Sequence, residues 1–198
     1  MKNLNEMLEE NKKTYGFQSK GGGWFDFQEG ANKVRILSEM EIIGSHYLGG
    51  KSVRTCYGKD EGCPQHTENS PEVRPKWMMY VYNYLTKQLE IARFPYTIVQ
   101  MLADLQASEE YHFSEFPMPY DITLNVKNAK TKEVEYTIVP ARANTPTEQA
   151  TLDELKDKKP ISFVIERIKE KQRIADGVEV QGADVKEKDD GVESIDPD

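Results

Sequence analysis

Apolar residues recur at every second position over several short stretches, the period of a half-buried strand. Val34 and Ile36 alternate with Lys33 and Arg35, and Glu41–Leu48 and Lys51–Tyr57 supply two further candidates with Gly49-Gly50 as the turn between them. Trp24–Phe27 reads as a short strand ahead of a turn at Gln28–Asn32. The strongest stretch is Lys76–Tyr84: Trp77, Met79 and Val81 fall on one face and Met78, Tyr80, Tyr82 and Tyr84 on the other. Both faces are apolar or aromatic, so this strand is predicted to be central, with Leu89–Phe94 returning beside it after a turn at Thr86-Lys87-Gln88. Tyr120–Val126 and Val134–Val139 form a second hairpin, with Ile122, Leu124 and Val126 facing one way and Val134, Tyr136 and Ile138 likewise.

Elsewhere the period changes to three and four. Ile98, Met101, Leu102 and Leu105 predict a helix opened by Pro95, placed as a cap on one end of a barrel. Thr145-Pro146-Thr147-Glu148 carries the N-terminal signature of a helix running from Pro146 to about Asp157, and Pro160 stops its continuation. Ile161–Ile165 fits strand or helix, with Ile161, Val164, Ile165 and Ile168 favouring helix. Leu4, Met7 and Leu8 mark a short amphipathic helix in an N-terminal arm, residues 1–22. The core is placed at residues 23–170 and a flexible tail at 171–198, because the apolar pattern fades after Gly177. The fold expected is mainly β: a five-stranded OB-fold-like barrel, an inserted zinc-binding subdomain at about 43–75, a few flanking helices and a disordered acidic tail.

Charge alters this picture in one respect. The net charge is −8, but the segment Glu179–Asp198 holds eight acidic residues and two lysines, so three-quarters of that charge lies in the tail. Overall acidity therefore does not exclude an anionic ligand on a locally basic surface. An apolar fraction of 37% predicts a modest core. No apolar run reaches membrane-spanning length, and the start lacks a signal-peptide core. Two cysteines do not make a disulfide scaffold, which places the chain in a reducing, cytoplasmic setting.

The candidate chemistry lies between Ala31 and Phe94, where both cysteines and two of the three histidines fall in the order His46-x9-Cys56-x6-Cys63-x2-His66. Thiolates and imidazoles are zinc ligands, and Cys63-Pro64-Gln65-His66 has the step of a tight zinc knuckle. Residues 58–75 are poor in apolar side chains, so a metal would supply the order a core does not. Four protein ligands would leave no open position, making one zinc structural. Free thiols with a satisfied histidine, or a disulfide, are the alternatives. Lys33, Arg35, Lys51, Arg54, Arg74, Lys76 and Arg93 are interleaved with Tyr47, Tyr57, Trp77, Tyr80 and Tyr82, the mixture of cations and flat rings that a single-strand binding surface needs. Strand aromatics also build cores, so the same residues have a structural reading. No catalytic constellation is evident, and the chain is read as not an enzyme.

Taken in order, Gly30-Ala31-Asn32-Lys33-Val34-Arg35-Ile36-Leu37, His46-Tyr47-Leu48, Arg54-Thr55-Cys56, Cys63-Pro64-Gln65-His66, Pro75-Lys76-Trp77, Tyr120-Asp121-Ile122 and Glu135-Tyr136-Thr137-Ile138-Val139-Pro140 resemble the single-stranded DNA-binding proteins of tailed bacteriophages. The resemblance covers roughly Gly23–Ile168. It implies one OB-fold with an embedded zinc subdomain, with His46, Cys56 and Cys63 at ligand positions and His66 where the best-known members have a third cysteine. It also implies sequence-independent binding of single-stranded DNA in phage replication, recombination and repair. The acidic tail would contact replication and recombination proteins, the protein would self-associate on DNA, and it would reside in the cytoplasm of the infected host. The strongly basic N-terminal segment of the family's best-known member is not matched by Met1–Glu10. Two other readings compete: a zinc-containing protein-interaction module recruiting replication partners without binding DNA, and a metal-dependent nuclease using the scattered carboxylates.

Overall fold

The computed structural model describes residues 23–48, 53–67, 72–142 and 146–178. The alternating stretches form seven strands: β1 (Gly30–Ile36), β2 (Glu41–Tyr47), β3 (Val53–Cys56), β4 (Arg74–Asn83), β5 (Gln88–Phe94), β6 (Ile122–Lys127) and β7 (Glu135–Pro140). Three helices accompany them: α1 (Tyr96–Ala107) after β5, then α2 (Gln149–Asp157) and α3 (Ile161–Ala175) after β7. The run starting at Ile161 is thus helical, as its three-and-four spacing favoured. Trp24–Phe27 is not a strand, and its ladder contact is a single bridge from Trp24 to Ile91. The predicted N-terminal helix, Lys51, Gly49-Gly50, Thr145 and the tail beyond Val178 lie outside the described residues.

β4 organises the sheet because both of its edges are paired. β5 runs along one edge, from Trp77 opposite Phe94 to Asn83 opposite Gln88. The other edge is shared: β2 covers Arg74–Met78, and β1 covers Val81–Asn83. Leu37 donates its amide to the Tyr80 carbonyl at 2.9 Å, holding the chain against β4 where β1 passes towards β2. β6 then adds to β1, β7 to β6, and β3 to the outer edge of β2, all antiparallel.

This topology corrects the expected five-stranded OB barrel. A barrel requires a ladder that closes the sheet and removes its edges. Among the described residues no ladder joins β7 to β3 or β5, so the sheet is open and seven-stranded. The helix α1 packs against β7, β4 and β5, as a cover on the sheet rather than a cap on a barrel end. With the barrel goes the fold on which the likeness to phage single-stranded DNA-binding proteins rested.

The two apolar faces of β4 each build a core. On one face Met79 and Val81 pack with Val34, Ile36, Phe94, Ile98, Leu102, Ile122 and Leu124. On the other, Met78 and Tyr80 pack with Leu37, Ile43, Leu89, Ile161 and Ile165, with Leu155 of α2 at the margin. Each fully buried aliphatic or Phe side chain contributes roughly 1.5–3 kcal/mol. Tyr80 can sit in this second core because its hydroxyl donates to the Lys159 carbonyl at 2.8 Å, just before α3.

A polar cluster pins β1 to the start of β6. Asp121 accepts hydrogen bonds from Arg35 Nε at 2.6 Å and Tyr84 Oη at 2.8 Å, and pairs with Lys33 Nζ at 2.9 Å. Arg35 is 2% exposed and Asp121 3%, so this is a buried pair whose charges depend on each other. Burial alone would push the Asp121 carboxyl up, but the Lys33, Arg35 and Tyr84 hydrogen bonds outweigh it and hold the group below the usual carboxylate range. Burial and the same hydrogen bond push the Tyr84 phenol up to about 12.

Candidate metal centre

The four predicted ligands come from two strands and one loop. His46 lies near the end of β2 and is fully buried, Cys56 ends β3, and Cys63 and His66 follow on the loop. Strand pairing places Gly44 opposite Cys56 and His46 opposite Arg54, which brings the β3 ligand beside the β2 ligand. Gly44 is required for this approach. A Cβ there would stand 3.1 Å from Cys56 Cβ and 2.9 Å from Val73 Cγ1. Gly44→Ala is therefore expected to cost about 1–3 kcal/mol through forced displacement of β3. Thermal denaturation with zinc present checks this, and an unchanged midpoint would show that β3 yields freely.

The loop turns at Gly58, whose φ of +112° is a conformation few other residues adopt. Its carbonyl accepts the Cys63 amide at 3.1 Å, and the Cys63 carbonyl accepts the His66 amide at 3.3 Å. These two bonds close the knuckle that the Cys63–His66 spacing predicted.

The four ligand atoms all lie within 4.8 Å of one another. Cys56 Sγ is 3.1 Å from His66 Nε2, and Cys63 Sγ is 3.7 Å from His46 Nε2. Tetrahedral zinc with bonds of roughly 2.0–2.3 Å sets its ligands roughly 3.3–3.8 Å apart, so small movements complete the shell. The donor set is two thiols and two imidazoles, which suits zinc over the harder cations. The cluster fits one structural Zn2+, with all four positions supplied by protein. Without metal, burial raises the Cys56 thiol above its ordinary value, although the Gly58 backbone opposes this, whereas a bound cation would hold the sulfur as thiolate.

The residues assigned from sequence to nucleic acid are dispersed. Arg35, Tyr57 and Tyr80 are buried. Arg54 pairs with Asp176 at 2.5 Å, and Lys33 with Asp121. Arg74 lies over the Tyr47 ring at 4.9 Å and Arg93 over the Trp24 ring at 3.9 Å, leaving these cations at the surface. Lys76, Trp77 and Tyr82 are half-buried, and Tyr82 meets the Tyr84 ring edge-on at 5.0 Å. The sequence reading missed Asp121 and Asp176, the buried acceptors that claim Arg35 and Arg54. Neither had a local signal: alternation turns Arg35 away from Val34 and Ile36 but does not say what covers that face.

No protein-family model, curated protein or solved structure matches this chain. The bacteriophage resemblance thus receives no support from the comparisons and conflicts with the open sheet. The replication, recombination and repair roles drawn from it fall with it. Fold and site define instead a mixed α/β domain with an open antiparallel sheet and a His/Cys metal centre that fits zinc. Among the described residues no helix is long and apolar enough to cross a membrane.

Proposed function

We propose that this chain is a non-catalytic, zinc-stapled module that binds a protein partner through the corner where the start of β2 meets β4 and the first turn of α1. The observation that carries the reading is an exposed apolar corner. Ile42 is 60% exposed on β2, and its register partner on β4 is the half-buried Trp77, whose ring lies 6.1 Å from that of Tyr96, itself 62% exposed. Adjacent aromatic and aliphatic side chains of this kind act as anchors in protein interfaces, where a few residues supply most of the affinity. The metal supports the same reading, because a zinc with four protein ligands orders a surface and leaves no position for a substrate.

The test is affinity purification from the native host with wild-type protein and Ile42→Glu, quantified by mass spectrometry, alongside titration with a labelled oligo-dT. A defined partner retained by wild type and reduced at least tenfold by Ile42→Glu is the expected result, with no oligonucleotide binding at micromolar protein. Tight, salt-dependent oligonucleotide binding that Ile42→Glu leaves intact would overturn it. Magnesium-dependent cleavage of the oligonucleotide would establish the nuclease reading instead.

A further inference from the structure

The C-terminal end of α3 is tied to the zinc site at several points, from residues far away in sequence. Asp176, directly after α3, has a side chain that is 3% exposed. One of its oxygens accepts from Arg54 Nη1 at 2.5 Å and from Gln172 Nε2 at 3.1 Å. The other accepts from Tyr57 Oη at 3.2 Å. Arg54 and Tyr57 flank the ligand Cys56 in sequence, and Arg54 lies across the ladder from the ligand His46. Next to Asp176, Arg173 forms an ion pair with Glu61 in the Cys56–Cys63 loop, and its guanidinium lies 5.4 Å from the centre of the Tyr57 ring.

We infer that Asp176 is a positioning residue of the zinc site, and that through it zinc binding and order at the end of α3 are coupled. A carboxylate that accepts from both sides of Cys56 limits how far β3 can move, and so fixes where the Cys56 sulfur sits relative to His46. Groups outside the ligand shell that orient ligands typically account for 10–100-fold in metal affinity. The coupling is reciprocal by linkage: if Asp176 tightens zinc, zinc must tighten the contacts of Asp176. The last turn of α3 would then be held in place when zinc is bound and freed when it is removed. This does not depend on what partner the module binds.

The experiment measures zinc affinity of the full chain by competition with a chelator, for wild type, Asp176→Asn and Ile165→Ala. Ile165 is a buried α3 residue in the second core and serves as a control for general loss of stability. The expected result is zinc binding 10–100-fold weaker in Asp176→Asn and within about threefold of wild type in Ile165→Ala. Cobalt(II) loaded in place of zinc should show an altered thiolate band in Asp176→Asn alone. In wild-type protein, zinc should slow amide exchange at residues 172–178 at least tenfold, and in Asp176→Asn this protection should largely vanish. Wild-type zinc affinity in Asp176→Asn, or equal weakening in both variants, would overturn the assignment. If Asp176→Asn does not fold, Tyr57→Phe and Arg54→Gln each remove one donor. At least threefold weaker zinc in either supports the role, and wild-type affinity in both overturns it.

Discussion

Stripping zinc from the protein, or replacing Cys63 by Ala, is expected to lower the thermal midpoint sharply. The Gly58–His66 loop buries Cys63 and little else, so it has no apolar core of its own. Its order comes from the metal, from three backbone hydrogen bonds and from the contacts to α3. Structural zinc contributes about 10–16 kcal/mol of apparent binding free energy in isolated zinc-finger peptides. Here the sheet keeps two cores without it, so only part of that appears as stability, about 4 kcal/mol or roughly 10 °C. Differential scanning calorimetry with and without chelator, paired with elemental analysis, measures this. One zinc per chain and a fall of that size are expected, and a midpoint indifferent to chelator would remove zinc from the folding of this chain.

Asp121→Ala is expected to destabilise the fold by about 3–5 kcal/mol, because it leaves the Arg35 guanidinium buried without its counter-charge. Arg35 would retain the Met118 carbonyl and the Thr147 hydroxyl, both at 3.3 Å, and neither carries charge. The effect also has a signature in pH. Since the Asp121 carboxyl is held below its ordinary value in the folded state, its stabilisation is fully present above about pH 4. It is lost as pH falls through the depressed folded value. Wild type should therefore lose stability on acidification below pH 4, and Asp121→Asn should show a shallower fall from a lower starting point. Urea denaturation at a series of pH values compares the two, and parallel curves would show that Asp121 carries none of the acid sensitivity. The paired change Arg35→Met with Asp121→Leu should recover much of the loss, since the cost lies in an unpaired charge and not in the absence of a pair.

The sequence by itself determined the local elements and the composition of the metal site. Period-two alternation marked β1, β4, β6 and β7, and three-and-four spacing marked α1 and α3, because backbone geometry alone fixes which residues share a face. The apolar character of both faces of Lys76–Tyr84 correctly required cover on each side. The spacing Cys63-x2-His66 carried the knuckle, because two ligands that close in sequence have few ways to meet a metal. Tertiary structure decided the rest. Whether strands close into a barrel depends on which edges meet, and alternation is the same for a strand at an edge or inside a barrel. The fate of the cations was equally hidden: Arg35 and Arg93 look alike in sequence, but one meets Asp121, 86 positions away, and the other remains at the surface. Asp176 is the extreme case, 122 positions beyond Arg54, where no local pattern links a helix end to a zinc ligand's neighbour. Such pairings follow from how the chain packs back on itself.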